Sequence, residues 1–230
     1  MNQQIPLAIQ LNDEATLGDF HWGNNLLLQH HLLDFLDPKN SKAMLYLWGI
    51  SGSGKSHLLQ AGCQALPHAE AIYLPLLALK DFGPQVMEGL DTHTLICIDD
   101  IDAIAGMPEW EEALFHLYNR IRDSERGKLL ISANTPPANT PIKLADLKSR
   151  LSWGMVIQLN ELSDEDKIST LQRHAQKRGF ELPTSVIQFL INRSARNMHD
   201  LHALINRLDE TSLAAQRKIT IPFVKQALNL

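Results

Sequence analysis

Between residues 49 and 56 the chain reads Gly49-Ile50-Ser51-Gly52-Ser53-Gly54-Lys55-Ser56, a complete G-x-x-x-x-G-K-[ST] run. Its flanks make it constraining. The apolar stretch Ala43–Trp48 precedes it, and a helix-compatible stretch opens at Lys55. A glycine-rich turn between a buried strand and a helix N-terminus offers backbone N–H groups and the positive end of the helix dipole to a pyrophosphate. Lys55 is then expected to reach the β- and γ-phosphates and Ser56 to ligate Mg²⁺. A chance glycine–serine turn is the bland alternative, and the correct strand and helix on either side argue against it.

A strand, a phosphate loop and a helix in that order also begin an α/β fold. Further strands are expected at Ala71–Leu74, Leu95–Ile98, Leu129–Ser132 and Val156–Leu159, all continuous enough in apolar character for burial on both faces. Helices fit between them at Lys55–Leu66, around Leu76–Leu90 and at Glu109–Arg122; an earlier one, Leu26–Leu36, stops before Asp37-Pro38. Alternation of strand and helix predicts a parallel sheet with flanking helices. After Leu159 the strand signals cease. Three or four helices are expected, at about Asp164–Arg178, Pro183–Arg193, Met198–Ala215 and Ile221–Leu228, the first opened by the hydroxyl of Ser163 and three acids. The division is therefore a tail over residues 1–12, an α/β base over 13–159 and an all-helical lid over 160–230.

Charge narrows the function classes. The 230 residues carry 21 Lys+Arg against 26 Asp+Glu, a net −5, which disfavours unaided binding to phosphate backbones. That deficit sits in residues 1–158, with 11 basic and 18 acidic residues, whereas 159–230 hold 10 and 8. Two cysteines, Cys63 and Cys97, suit neither a disulfide framework nor a four-thiolate zinc site, and a cytoplasmic location is expected. No signal peptide or membrane span is apparent. The histidines gather no zinc-like set, and Trp110 and Trp153 read as core or interface packing rather than a base-stacking platform.

Two further segments bear on the phosphate loop. Thr94–Asp100 is an apolar strand ending in two carboxylates, 43 residues past Ser56. In a P-loop sheet the first, Asp99, faces the magnesium and the second, Asp100, the attacking water; acids capping a following helix are the structural alternative. Asn134 ends the strand 129–133, where an amide orients water or touches the γ-phosphate, or else makes an Asx turn into Thr135-Pro136-Pro137. Arg150 precedes the last strand, as a surface cation or as an arginine offered to a neighbour's nucleotide.

The order of phosphate loop, acidic strand, polar strand end, arginine and helical lid resembles the AAA+ superfamily over nearly the whole chain. Gly54-Lys55-Ser56-His57-Leu58-Leu59 is similar to the branch of the replication initiator DnaA and the helicase loaders, which adds His57 to the nucleotide-binding set. Leu117–Ile121, Ser149–Gly154, Leu162–Lys167 and Ala215–Lys225 resemble the Hda family, regulatory inactivators of DnaA. That resemblance implies bound ADP or ATP with Mg²⁺, partnership with DnaA and with the DNA polymerase III sliding clamp, and stimulated hydrolysis of DnaA-bound ATP. It makes Arg150 the arginine presented in trans and Gln4-Ile5-Pro6-Leu7 a clamp-binding peptide. It also implies homo-oligomerisation, DNA contact only through the clamp, and little or no independent ATPase activity. One departure stands out. Where the family carries a nucleotide-sensing lid arginine, this chain has His199, with Arg196 one helical turn earlier. A self-contained ATPase acting as a helicase loader is the rival reading.

Overall fold

The computed structural model describes residues 11–13, 15–40, 42–67, 69–124, 127–193 and 197–228. Contacts divide the chain into two compact units: one of residues 1–20, 26–49 and 55–159, the other of 21–25, 50–54 and 160–230. Residues 21–25 and 50–54, which lie in the base by the sequence division, group with the lid helices.

The first unit is an α/β sheet. Its strands are β1 (Met44–Trp48), β2 (Ala71–Pro75), β3 (Leu95–Asp99), β4 (Lys128–Ala133) and β5 (Met155–Gln158). All pair in parallel, in the order β2-β3-β4-β1-β5. Helices α1 (Leu26–Leu36), α2 (Lys55–Gln64), α3 (Leu76–Leu79), α4 (Pro108–Ser124) and α5 (Ala145–Trp153) complete it. The interior strands β1, β3 and β4 are buried nearly throughout, as continuous apolar runs require. The edges are not: β2 and β5 each show an exposed or half-buried side, so the expectation of burial on both faces fails there.

Side-chain alternation sorts the two faces. Tyr46, Ile96, Ile98, Leu129 and Ile131 join the core that Trp110, Leu114, Leu117 and Ile121 of α4 cover. The alternate residues, Leu45, Leu47, Cys97 and Leu130, are equally buried on the opposite face. Asp99 and Ser132 fall in that second set, and α2 packs against β3 and β4.

The helix expected around Leu76–Leu90 does not form. Helix α3 is a single turn, followed by 3₁₀ turns at Lys80–Phe82, Pro84–Met87 and Leu90–Thr92. Gly83 at φ 92° and Gly89 at φ 73° break the run, with Pro84 supplying no N–H in between. Helix α5 was not anticipated at all. Its buried Leu147 and Leu151 are four apart, too few to announce a helix of nine residues.

The second unit holds α6 (Asp164–Lys177), α7 (Thr184–Arg193), α8 (Met198–Ala215) and α9 (Ile221–Leu228) around a core of Leu171, Val186, Leu190, Leu201, Ile205 and Phe223. Side-chain caps start two of them. Ser163 Oγ accepts the Asp166 N–H at 3.1 Å, and Asn197 Oδ1 accepts the Asp200 N–H at 2.9 Å. Among the described residues no helix is long and apolar enough to cross a membrane.

Candidate functional site

The loop between β1 and α2 has the backbone its glycines allow. Gly52 lies at φ 76° and Gly54 at φ 106°, both in the left-handed region that a side chain resists. A Cβ built on Gly52 would stand 2.6 Å from Asn197 Cβ, so the loop packs directly against the α8 N-cap. Ser53 Oγ is buried with no hydrogen-bond partner, a donor waiting for an acceptor such as a phosphate oxygen. Ile50 is half exposed and Ser51 exposed, while Gly49 donates its N–H to the Ala133 carbonyl at 3.2 Å.

Lys55 opens α2 and is buried. Its ammonium donates to the Gly49 carbonyl at 2.8 Å and to Asn134 Oδ1 at 3.1 Å. Burial lowers its pKa, opposed by the charges of Asp100, Asp99 and Asp102. The ends of β3 and β4 thus lie near this amine, Asn134 by a hydrogen bond and Asp99, Asp100 and Asp102 through their charge. Ser56 follows it, half buried. His57 turns elsewhere: its Nε2 donates to the Thr16 carbonyl at 3.0 Å and its ring lies 5.5 Å from Phe20. Burial pushes its pKa down, which keeps the imidazole neutral.

Asp99 is buried and held on both oxygens. Oδ1 accepts from Ser132 Oγ, and Oδ2 accepts from the Tyr73 hydroxyl at 2.6 Å. Tyr73, Asp99 and Ser132 sit on β2, β3 and β4, on the face of the sheet towards α2. Burial, reinforced by the Asp99 charge, raises the Tyr73 pKa, so its hydroxyl stays a donor. Asp100 adopts φ 56°, ψ 57°, and its N–H donates to the same Ser132 Oγ at 2.9 Å. A left-handed non-glycine residue stores roughly 1–2 kcal/mol of backbone strain, and such strain gathers at functional sites. Burial first and the Asp99 charge second raise the Asp100 pKa, with Lys55 acting against them. Ile101–Ile104 is a 3₁₀ turn rather than a helix, and Asp102 Oδ2 there accepts the Asn134 N–H at 2.7 Å.

Arg150 lies on α5 with its guanidinium 4.3 Å from the ring centre of Trp153. Trp153 is 65% exposed, so it is not core, unlike Trp110 at 3%. Arg150 has no ion pair among the described residues. His199 occupies the first turn of α8 and is exposed. Gln4, Ile5, Pro6, Leu7 and Arg196 lie outside the described residues.

Four residues of the site escaped the sequence reading. Ser132, Tyr73 and Asp102 have no motif of their own; only the strand order brings them to Asp99 and Asn134. Glu111, 1% exposed, accepts from the N–H groups of Gly106 at 2.6 Å, Lys143 at 3.0 and 3.1 Å, and Leu144 at 2.7 Å, tying down the entry to α5. Nothing in the acidic first turn of α4 marks it out from Glu109 and Glu112.

The donor set fits a nucleoside polyphosphate: loop glycines, an orphaned serine hydroxyl and a buried ammonium. Mg²⁺ needs oxygen ligands instead, one or two side chains plus phosphate oxygens and water, and Ser56 and Asp99 are the side chains of suitable chemistry here. Among the described residues no group of three or more His, Cys, Asp and Glu is arranged to hold a metal ion.

Residues 12–158 match the family described as the bacterial DnaA ATPase domain, and residues 164–228 match that described as Hda, lid domain. An uncharacterized protein of Haemophilus influenzae is 47% identical over 235 residues, covering 100% of both chains. Among solved structures, domain III of the Thermotoga maritima replication initiation protein DnaA superimposes with TM-score 0.82 at 23% identity, covering 96% of this chain and 98% of that one. AMPPCP-bound DnaA from Aquifex aeolicus gives 0.71 at 20% identity, with 86% and 66% covered. The Thermotoga maritima RuvB branch migration motor gives 0.69 at 16% identity, with 94% and 71% covered.

Proposed function

The chain belongs to the DnaA branch of the AAA+ proteins and carries an Hda lid, and from that premise we propose that it is a nucleotide-bound regulator of the initiator DnaA. In this reading it associates with DnaA and the DNA-loaded sliding clamp, stimulates hydrolysis of the ATP that DnaA holds, and so prevents re-initiation.

The observation that carries the reading is the state of Arg150. An arginine committed to its own fold would be expected to meet a carboxylate. This one rests on the face of an exposed tryptophan, with no acidic partner among the described residues. Stacking on an aromatic face holds a guanidinium for about 0.5–1 kcal/mol at an exposed site without neutralising it. A guanidinium so presented stabilises the charge that develops on a transferring phosphoryl group, an effect of roughly 10³–10⁵ in rate where such arginines are measured.

The protein's own nucleotide has a structural role here. Gly49–Gly54 supply backbone N–H groups and the Ser53 hydroxyl, Lys55 contributes its ammonium, and His199 stands at the family's sensing position, whereas His57 is engaged with Thr16 instead. Ser56 and Asp99 would hold Mg²⁺, which supplies charge neutralisation between phosphates. Ser132 and Tyr73 orient the Asp99 carboxylate by occupying one lone pair on each oxygen. Asp100 and Asn134 are assigned the task of orienting water. DnaA structures of this fold are known with AMPPCP, which supports ATP or ADP as the ligand class. Contact with the clamp is assigned to Gln4-Ile5-Pro6-Leu7, whose glutamine amide and aliphatic side chains suit an apolar groove. DNA is then reached only through the clamp, and homo-oligomers form through the nucleotide-bearing units.

The test follows radiolabelled ATP on DnaA with the clamp loaded on DNA. Wild type should convert it rapidly to ADP; Arg150→Ala should do so little, while still binding nucleotide and clamp. A second reading is favoured by the complete Lys55–Asn134–Asp99 constellation, which is compatible with hydrolysis in cis. No stimulation of DnaA, with turnover of free ATP instead, would establish a self-contained ATPase of the helicase-loading kind.

A further inference from the structure

The charges of the lid helices are segregated along the chain. All eight acids of residues 159–230 fall within 161–181 and 200–210. Residues 182–193 and 211–228, which span α7, the end of α8 and α9, contain no Asp or Glu and carry Arg193, Arg217, Lys218 and Lys225.

The fold draws these cations together. Arg193 on α7 and Lys225 on α9 both approach the Phe189 ring, 5.8 and 5.7 Å from its centre. Arg217 stands 5.4 Å from the centre of the Phe223 ring and donates at 3.1 Å to Oε1 of Gln226, the residue after Lys225. All four cations are exposed, and none has an ion pair among the described residues. An aromatic face holds an exposed cation for about 0.5–1 kcal/mol and leaves its charge intact. Two like charges at one ring repel each other, and an anion beside them relieves that repulsion. Apolar surface accompanies the charges: Leu213 is 80% exposed, Pro222 is exposed and Phe189 is half-buried.

Two kinds of polyanion meet such a face with different further needs. A nucleic acid is repelled at range by a chain of net charge −5. It also finds no ring for a base, since Phe223 is 3% exposed and Phe189 already carries two cations. A protein segment that mixes carboxylates with aliphatic side chains suits both the charge and the apolar surface.

We propose that this α7–α9 face docks an acidic segment of a partner protein, with carboxylates on Arg193, Arg217 and Lys225 and aliphatic side chains on Leu213 and Pro222. The docking needs neither Arg150 nor the phosphate loop, so it goes beyond the proposed function and does not depend on it.

Fluorescence anisotropy of a labelled glutamate–leucine peptide, titrated with the full chain, tests the docking. Arg217→Glu with Lys225→Glu should weaken binding about tenfold or more, whereas Lys39→Glu with Lys80→Glu, an equal change of net charge in the α/β unit, should alter it less than about twofold. Arg217→Gln with Lys225→Gln, gentler on the packing at Phe223, should weaken it about threefold and keeps the test open if the reversed pair does not fold. A glutamate–serine peptide of the same charge should bind about fivefold more weakly. No binding by wild type, equal losses in the two reversed pairs, or equal binding of the serine peptide overturns the proposal. So does tighter binding of a DNA duplex that the same substitutions abolish, which assigns the face to a phosphate backbone. Self-association that Arg217→Glu with Lys225→Glu abolishes overturns it too, because the face then belongs to a second copy.

Discussion

Removing the Glu111 carboxylate should destabilise the α/β unit by about 3 kcal/mol. The side chain is 1% exposed and satisfies three backbone N–H groups, those of Gly106, Lys143 and Leu144. A hydrogen bond to a charged acceptor contributes roughly 1.5–3 kcal/mol when its loss leaves the donor dry. These donors are only partly buried, so water replaces some of each interaction and about 1 kcal/mol apiece is reasonable. Glu111→Ala also removes one packed methylene, about 0.8 kcal/mol. Relief of the cost of burying a carboxylate offsets a similar amount. Urea denaturation followed by the fluorescence of buried Trp110 measures the sum. Glu111→Gln keeps one acceptor oxygen but turns an N–H₂ towards a backbone donor, and should lose about half as much. A loss below about 1 kcal/mol for Glu111→Ala would refute the reasoning, because water would then serve the three donors as well as the carboxylate does. A second consequence follows from where two of the donors lie. Lys143 and Leu144 lead directly into α5, so under the proposed function any stimulation of DnaA-bound ATP hydrolysis should fall further than the protein's own nucleotide affinity.

Two other perturbations follow from the same geometry. Burial and Asp99 raise the Asp100 pKa in the folded state, so its ionisation opposes folding once the pH exceeds the unfolded value; Asp100→Asn, in a residue type that tolerates φ near 56°, should raise the melting temperature of the nucleotide-free protein at pH 7, and the gain should shrink as the pH falls towards 4. An equal gain at both pH values would trace the effect to the backbone instead. Gly52→Ala meets left-handed backbone at φ 76° and a 2.6 Å approach to Asn197 Cβ together, so nucleotide binding by titration should weaken at least tenfold; Asn197→Gly in the same chain should restore only part of it, because the strained φ remains.

What was legible in the sequence was local. The phosphate loop announces itself because a turn of that shape needs glycine at fixed offsets, and Gly52 and Gly54 do take positive φ. Helices α1, α8 and α9 begin and end at the residues expected from the sequence, since apolar stripes and helix-ending signals such as Pro38 act within a few residues. Residues 76–90 misled for a related reason: leucines at helical spacing outweighed Gly83, Pro84 and Gly89, whose backbone demands decide the matter.

Nothing local decides which strands are neighbours. The order β2-β3-β4-β1-β5 sets Tyr73 and Ser132, 26 and 33 residues from Asp99, on one face beside it, and carries Lys55 to Asn134 across 79 residues. Glu111 reaches Lys143 and Leu144 over 32 and 33 residues in the same way. By itself the sequence determined that there is a phosphate loop and an acidic strand end, and it left Arg150 open between a surface cation and an arginine offered to a neighbour. Tertiary structure decided what holds each in place, because parallel pairing and crossovers bring distant segments into register and every buried polar group must then find its partner among whatever they deliver.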